Sequence, residues 1–356
     1  MKYSANRGCI SSFVVGGTGS EYGPSVAVIR KNMDVKLILA PLQGYTDAVF
    51  REIYTNHFSG VDEALAPFVS TMGEQRLKPA RIKDLLPENN PNLPVVPQIL
   101  GNVGGDFIFM AQHLSQYGYD TMNWNMGCPH SKIAKKRRGS GILPWPDMVE
   151  TLLEEVFASG VCRLSVKVRL GRKDKDEIFK LLPVFEKYPL EEIIVHPRTG
   201  VQMYEGEADV DAFERVSRHT DHCLVYNGDI TSLEKFKTIQ ARFPKIGKFM
   251  IGRGILADPF LPARIKGLSW DHSRELEIIK AFHDELFYTY SEKFFGPVHV
   301  TGRMKGFWAY IGPSFKNSRK PLKKLLKARD REAYKQAADA YFASSPQYCP
   351  CSHGSC

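Results

Sequence analysis

The sequence predicts an α/β protein, a (β/α)8 TIM barrel followed by a C-terminal helical bundle. Eight apolar, strand-like runs alternate with helical stretches between about residues 35 and 260. Polar residues or glycines stand immediately after nearly every run, and beyond about residue 269 no strand pattern remains. A doubly wound open sheet shares the alternation. It would string those polar ends along a crevice, whereas a barrel gathers them at one mouth.

Taken in order, the strands read at 35–39, 63–67, 95–100, 121–125, 163–168, 193–196, 224–227 and 249–251. The helices between them read at 47–56, 106–117, 146–159, 176–187, 209–218 and 232–243, several opening at Asp, Ser or Pro as helix N-termini do. Three further helices read at 276–293, 299–311 and 321–341, with Gly296-Pro297 and Gly312-Pro313 breaking between them. The chain therefore divides into a disordered extension (1–33), a barrel (34–267), a helical domain (268–344) and a flexible tail (345–356). The extension is rich in Gly and Ser and lacks the sustained apolar run of a signal peptide.

At 43% hydrophobic residues the chain has ample material for a core, and no apolar run is long enough to span a bilayer. No membrane partner is expected. Seven cysteines are an odd number, and Cys9, Cys128, Cys162 and Cys223 lie far apart, which predicts free thiols in a reducing cytoplasm. The cysteines and histidine of the tail, from Cys349 to Cys356, are crowded at an end with no framework to shape a tetrahedron, so no metal is expected. The net charge is +9, and residues 301–340 hold 11 Lys/Arg against 3 Asp/Glu. A second basic cluster, Lys135-Lys136-Arg137-Arg138, follows Cys128 closely. Charge runs are often only solvated faces; a basic helical appendage with a basic loop beside a candidate thiol points instead to a polyanionic partner.

The strand ends carry the chemistry: Pro41-Leu42-Gln43, Gln98, Asn125 with Cys128, Lys167 with Arg169, His196 with Arg198, Asn227-Gly228-Asp229 and Gly252-Arg253-Gly254. The last two segments follow strands seven and eight, where barrels commonly hold a phosphate; a tight turn would use the same residues. Together they suggest a phosphate-bearing cofactor. Lys167 ends an apolar strand, so it must be paired, functional or snorkelling to the rim; it can stabilise an anionic cofactor ring or form a Schiff base. Cys128 sits between Gly127 and Pro129, which restricts its backbone. It can act as nucleophile or proton donor, and no neighbouring His in sequence would hold it as thiolate.

These residues, in this order, resemble the tRNA-dihydrouridine synthases. The family's A-P-M-x-G-x-T-D-x-x-F-R matches Ala40 to Arg51, and its N-x-G-C-P matches Asn125 to Pro129. Its V-K-x-R-x-G matches Val166 to Gly171, and its H-x-R-T-x-x-Q-x-Y-x-G matches His196 to Gly206. N-G-D at Asn227 and I-G-R-G at Ile251 complete the set. Leu42 replaces the usual Met, Pro197 stands where a small residue is common, and Arg172-Lys173-Asp174 replaces a Trp-Asp loop. The glycine-rich stretch Arg138-Gly139-Ser140-Gly141 is a looser version of the family's. The Arg303–Trp308 stretch looks like the helical domain of the bacterial subgroup acting at the first D-loop pyrimidine.

The resemblance implies an FMN enzyme that reduces a D-loop uridine of tRNA to dihydrouridine, with NADPH reducing the flavin. Pro41, Leu42, Gln43, Gln98, Lys167 and His196 would line FMN, and Asn227, Gly228, Asp229, Gly252 and Arg253 would hold its phosphate end. Asn125 and Arg198 would face the base, and Cys128 would protonate C5. Lys135, Lys136 and Arg137, with Lys320, Lys323 and Lys324 of the helical domain, would meet the D-loop and elbow of the tRNA. A monomer is expected. Two other readings are an FMN barrel oxidoreductase acting on a small molecule, which needs no basic appendage, and a non-catalytic RNA-binding barrel, which needs no Cys128, Lys167 or His196.

Overall fold

The computed structural model describes residues 35–294 and 297–350. The expected extension with Cys9, and Cys351, His353 and Cys356 of the tail, lie outside the described residues. Ten parallel strands form one sheet: β1 (Lys36–Leu39), β2 (Glu63–Leu65), β3 (Val69–Ser70), β4 (Val95–Val96), β5 (Gln98–Leu100), β6 (Thr121–Met126), β7 (Arg163–Gly171), β8 (Ile193–Thr199), β9 (Leu224–Tyr226) and β10 (Lys248–Ile251). They make eight staves. Two staves are broken, because Pro67 and Pro97 have no N–H for the ladder. Both halves still pair, Ala64 with Val95 and Val69 with Ile99, and β10 returns to β1 with Leu37 opposite Phe249. The ring of pairings closes.

Alternation along the staves splits the apolar side chains into two cores. Ile38, Ala40, Leu65, Ile194, Val225 and Met250 form a small cluster of their own, while Leu37, Leu39, Trp124, Val166 and Val195 belong to the large one shared with the helices. Elsewhere polar groups take apolar places. Gln98 Nε2 donates to Asn123 Oδ1 (2.7 Å), Asn123 Nδ2 to Ser165 Oγ (2.8 Å) and Asn125 Nδ2 to Gln98 Oε1 (2.7 Å), all from buried side chains. Buried amides are tolerated because each finds a partner.

The outer helices are α1 (Ala48–His57), α2 (Gly104–Ser115), α3 (Ser131–Ala134), α4 (Pro146–Ser159), α5 (Ile178–Phe185), α6 (Val210–Ser217), α7 (Leu233–Arg242), α8 (Arg253–Ala257) and α9 (Leu261–Lys266). Asp47, Asp209 and Ser232 cap α1, α6 and α7 by accepting backbone N–H groups. Between β3 and β4 the chain makes a long excursion of short helical turns. Arg51 fastens it to α1: its guanidinium donates to Thr46 O, to Asp84 and to Asn90 Oδ1.

The C-terminal helices are α10 (Glu275–Lys293), α11 (Pro297–Ile311), α12 (Arg319–Lys327) and α13 (Arg331–Ala343). The single helix expected over 321–341 is thus two, because Asp330 caps a new start by accepting from Ala333 N at 2.8 Å. Two short strands, β11 (Phe315–Lys316) and β12 (Gln347–Tyr348), pair antiparallel where none was expected. Tyr348 donates to Asp258 Oδ1 at 2.9 Å, so chain expected as free tail is fastened at least to that point. The bundle meets the barrel along one seam. Asp47 accepts from Tyr290 and pairs with Arg303, and the Phe50 ring stacks on Phe307 with centroids 5.4 Å apart.

Cys128 and Cys162 are free thiols, whereas Cys223 is disulfide-bonded, against the expectation of free thiols throughout. Among the described residues, no helix is long and apolar enough to cross a membrane.

Candidate functional site at the barrel mouth

The C-terminal ends of the staves bring together residues scattered over more than 200 positions. One cleft is lined by Pro41 and Leu42 after β1, Lys167 in β7, His196 in β8, Asn227, Gly228 and Asp229 after β9, and Gly252 and Arg253 after β10. Nine of the eleven residues expected around a cofactor therefore share one wall. The other two do not line it: Gln43 is exposed on its turn, and Gln98 is wholly buried in the amide ladder. Tyr204 joins the cleft unexpectedly, its ring under the guanidinium of Arg253 at 4.9 Å.

Cys128 hangs on a loop that is fixed from both sides. Asn125 Oδ1 accepts from the backbone N–H of Cys128 (2.9 Å) and of Gly127 (3.1 Å). From below, Ser140 donates both N–H and hydroxyl to Cys128 O at 3.0 Å. Gly139 lies directly against the cysteine: a Cβ there would stand 2.8 Å from Cys128 Cβ. Arg169 is buried and donates to Gly127 O, Thr199 O and Met203 O, tying this loop to the one after β8. Arg172, in the loop that departs from the family pattern, donates to Pro129 O (2.8 Å) and Ser140 Oγ (3.1 Å). Asn125 and Arg198, expected to face a base, have their polar atoms turned to the protein.

Arg198 is 1% exposed and sits beneath the cleft. Its guanidinium binds both oxygens of Asp229 (2.9 and 2.6 Å), the Gly206 carbonyl and His196 Nε2 (3.0 Å). An arginine can only donate, so Nε2 of His196 accepts and its proton is on Nδ1. The histidine is neutral: burial first, then the charges of Arg169, Lys167, Arg198 and Arg253, hold it well below its ordinary range. Asp229 stays ionised, since the hydrogen bonds of Arg198 and the amide of Ala208 outweigh its burial.

The same two causes set the protonation of the reactive pair. Burial pushes the Cys128 thiol up, and the His130 amide with the charges of Arg169, Lys167 and Arg172 offsets that only in part. Burial, with Arg169 adding repulsion, brings the Lys167 ammonium down to about 7. A protonated thiol and a lysine poised to gain or lose charge share one mouth with a neutral imidazole. Such an arrangement suits proton delivery and stabilisation of negative charge more than nucleophilic attack.

The basic residues divide between two elements. Lys135, Lys136 and Arg137 are exposed on the loop after α3, where Arg137 lies over the Trp145 ring at 3.9 Å. Lys320, Lys323 and Lys324 are exposed along α12, and none has an ion-pair partner among the described residues. Sequence reasoning missed Asn123, Ser165 and Tyr204. Tyr204 lay inside a matched motif and was recoverable, whereas the ladder's polar residues look like any interruption of an apolar strand.

Residues 38–308 match the family model for dihydrouridine synthase (Dus). The chain is 32% identical over 227 residues to tRNA-dihydrouridine synthase B of Pasteurella multocida, covering 64% of this chain and 67% of that protein. It is 29% identical over 248 residues to tRNA-dihydrouridine(16) synthase of Cupriavidus necator, covering 65% and 74% respectively. Among solved structures, a 2-naphthoyl-CoA reductase complex aligns with a TM-score of 0.50 at 9% identity, over 65% of this chain and 50% of that one, a likeness of fold alone. On a match spanning most of its length, with motif residues gathered at one barrel mouth, the chain belongs to the dihydrouridine synthase family of oxidoreductases.

Proposed function

We propose that this protein reduces the C5–C6 double bond of a D-loop uridine in tRNA, using FMN reduced by NADPH, in the cytoplasm and as a monomer. The observation that carries the proposal is the Cys128 thiol, half-buried on a fixed loop at the same mouth as the Lys167 and His196 cleft, with burial pushing its pKa up. The cleft's donor set fits FMN. Leu42 and Pro41 offer an apolar wall, Gly252 faces that wall, where a Cβ would stand 3.5 Å from Leu42 Cδ1, and Arg253 adds a cation beside it. A bound flavin would supply the hydride for C6 of the base. Cys128 delivers the proton to C5, a task that suits a thiol kept neutral by burial. Lys167, brought down to about 7, would be held protonated by negative charge on a flavin ring bound beside it and would stabilise that charge. His196 offers Nδ1–H, because Arg198 occupies Nε2. Arg198 and Asn125 act through others, the first by orienting His196 and Asp229, the second by fixing the cysteine loop. The α12 lysines, without ion-pair partners among the described residues, favour a polyanionic substrate over a small molecule.

The test is anaerobic. Purified enzyme should be yellow, release FMN on denaturation, be bleached by NADPH and be reoxidised by unmodified tRNA with one dihydrouridine formed per flavin. A protein that takes up no FMN, or reduced enzyme that tRNA leaves reduced, overturns the proposal.

A further inference from the structure

A second cavity, of about 560 Å³, opens at the same barrel mouth on the far side of the Cys128 loop. The first cleft lies over staves one and five to eight; this one lies over staves two, three and four. Its walls come from Ser70 at the end of β3 with Thr71 and Met72 after it, Leu100 at the end of β5 with Asn102 after it, Arg81 of the excursion, and, beyond Cys128, Lys132 and Ile133 of α3 with Lys136 and Arg138. None of these residues is acidic. Arg81, Lys132 and Lys136 are exposed and have no ion-pair partner among the described residues. Arg138 is built in, donating to Asn102 Oδ1 (3.0 Å) and Thr71 O (3.1 Å), so the cavity's wall is braced to the cysteine loop. Thr71 is 4% exposed, and its Oγ1 has no hydrogen-bond partner, an uncommon state for a buried hydroxyl. Leu100, Met72 and Ile133 supply an apolar face.

We infer that this cavity holds a nucleotide of the substrate RNA adjacent to the uridine that is reduced, its phosphate on Arg81, Lys132 and Lys136 and its base against Met72, Ile133 and Leu100. The inference rests on the proposed RNA substrate and adds to it a second point of grip. A bare phosphate would fill little of 560 Å³, whereas pockets of roughly 300–1,000 Å³ take groups the size of a nucleotide. A flanking nucleotide fixed here would set the position of its neighbour over the cleft, on the other side of the thiol loop.

The experiment uses full-length, flavin-loaded enzyme and an unmodified tRNA transcript as probe, with binding measured across a series of salt concentrations. Arg81→Ala and Lys132→Ala should each weaken binding roughly five- to tenfold and lower the salt slope by about 1, the mark of one lost phosphate contact. Arg81→Lys and Lys132→Arg should restore the slope, and Lys237→Ala, on the exposed face of α7, should leave it as in the parent. Met72→Ala should weaken binding a few-fold at unchanged slope. An unchanged slope in the Arg81→Ala/Lys132→Ala double variant overturns the inference, and a response to charge removal with none to Met72→Ala reduces the cavity to a phosphate contact and overturns the nucleotide assignment. Flavin reduction by NADPH is read in parallel: a higher NADPH requirement with an intact RNA slope assigns the cavity to the dinucleotide's phosphate instead. If the parent itself neither binds tRNA nor is reoxidised by it, the proposed function fails rather than the cavity.

Discussion

The barrel mouth and helix α12 both concentrate positive charge, and they do so in opposite ways. At the mouth, Lys167, Arg169 and Arg198 are enclosed, and each guanidinium is committed to named acceptors at 2.6–3.0 Å. Their proximity shifts the protonation of Cys128, Lys167 and His196. Along α12, Lys320, Lys323, Lys324 and Lys327 stand in solvent with no partner among the described residues. There, charge works by number and is screened by salt; at the mouth it works by position and is screened much less. A substitution at one region should therefore change chemistry without affinity, and at the other affinity without chemistry.

The largest effect should come from Cys128→Ala. Flavin reduction by NADPH and tRNA binding should match the parent, while single-turnover reoxidation of reduced enzyme by tRNA slows by ~10²–10⁴-fold, the usual worth of a general acid. Burial raises the thiol's pKa, so the group stays protonated through neutral pH. The parent's reoxidation rate should thus show no loss from this group until alkaline pH, where deprotonation removes the donor. A parental rate in the alanine variant would sink the assignment.

The opposite arm reverses the four α12 lysines to Glu. Binding of tRNA should weaken by roughly 10²–10³-fold at moderate salt, and the dependence on salt should flatten, since fewer counterions are released. Reoxidation at saturating tRNA should remain near the parent rate. A change in that rate, with binding intact, would mean that α12 acts on the chemistry and that the contrast between the two regions is false.

How far these regions were legible in the sequence follows the same division. Lys320 and its neighbours could be read directly, because exposed charge needs only to be counted. Cys128, Lys167 and His196 were legible through their motifs and their places at strand ends. Their partners were harder to see. That Arg198 and Asn125 face a base is implied only by the family resemblance; what their strand-end positions do not reveal is that their buried polar atoms bind His196 and Asp229 and the cysteine loop. Asn123 and Ser165 gave no signal, since a polar residue in an apolar strand looks the same whether it is an error of reading or part of a ladder. The excursion that brings Arg81 to the second cavity is irregular backbone, fastened by Arg51 contacts that connect residues more than 30 positions apart.

The smallest effect tests whether the mouth depends on the position of Cys128 or only on its presence. Gly139 has φ of +56° and lies beneath the cysteine; a Cβ there would stand 2.7 Å from Cys128 O and 2.8 Å from Cys128 Cβ. Gly139→Ala should keep the thiol but push its loop, slowing reoxidation by tRNA about tenfold, as a displaced proton donor does. The left-handed backbone adds strain of about 1 kcal/mol, a Tm loss of about 2–4 °C. Gly118 separates the two contributions. Its φ is +87°, and a Cβ there meets nothing within 4 Å, so Gly118→Ala carries backbone strain without touching the cysteine. It should lower Tm by a similar amount and leave reoxidation at the parent rate. If the two variants slow reoxidation equally, the defect comes from stability, and the close packing of Gly139 against Cys128 has no part in the chemistry.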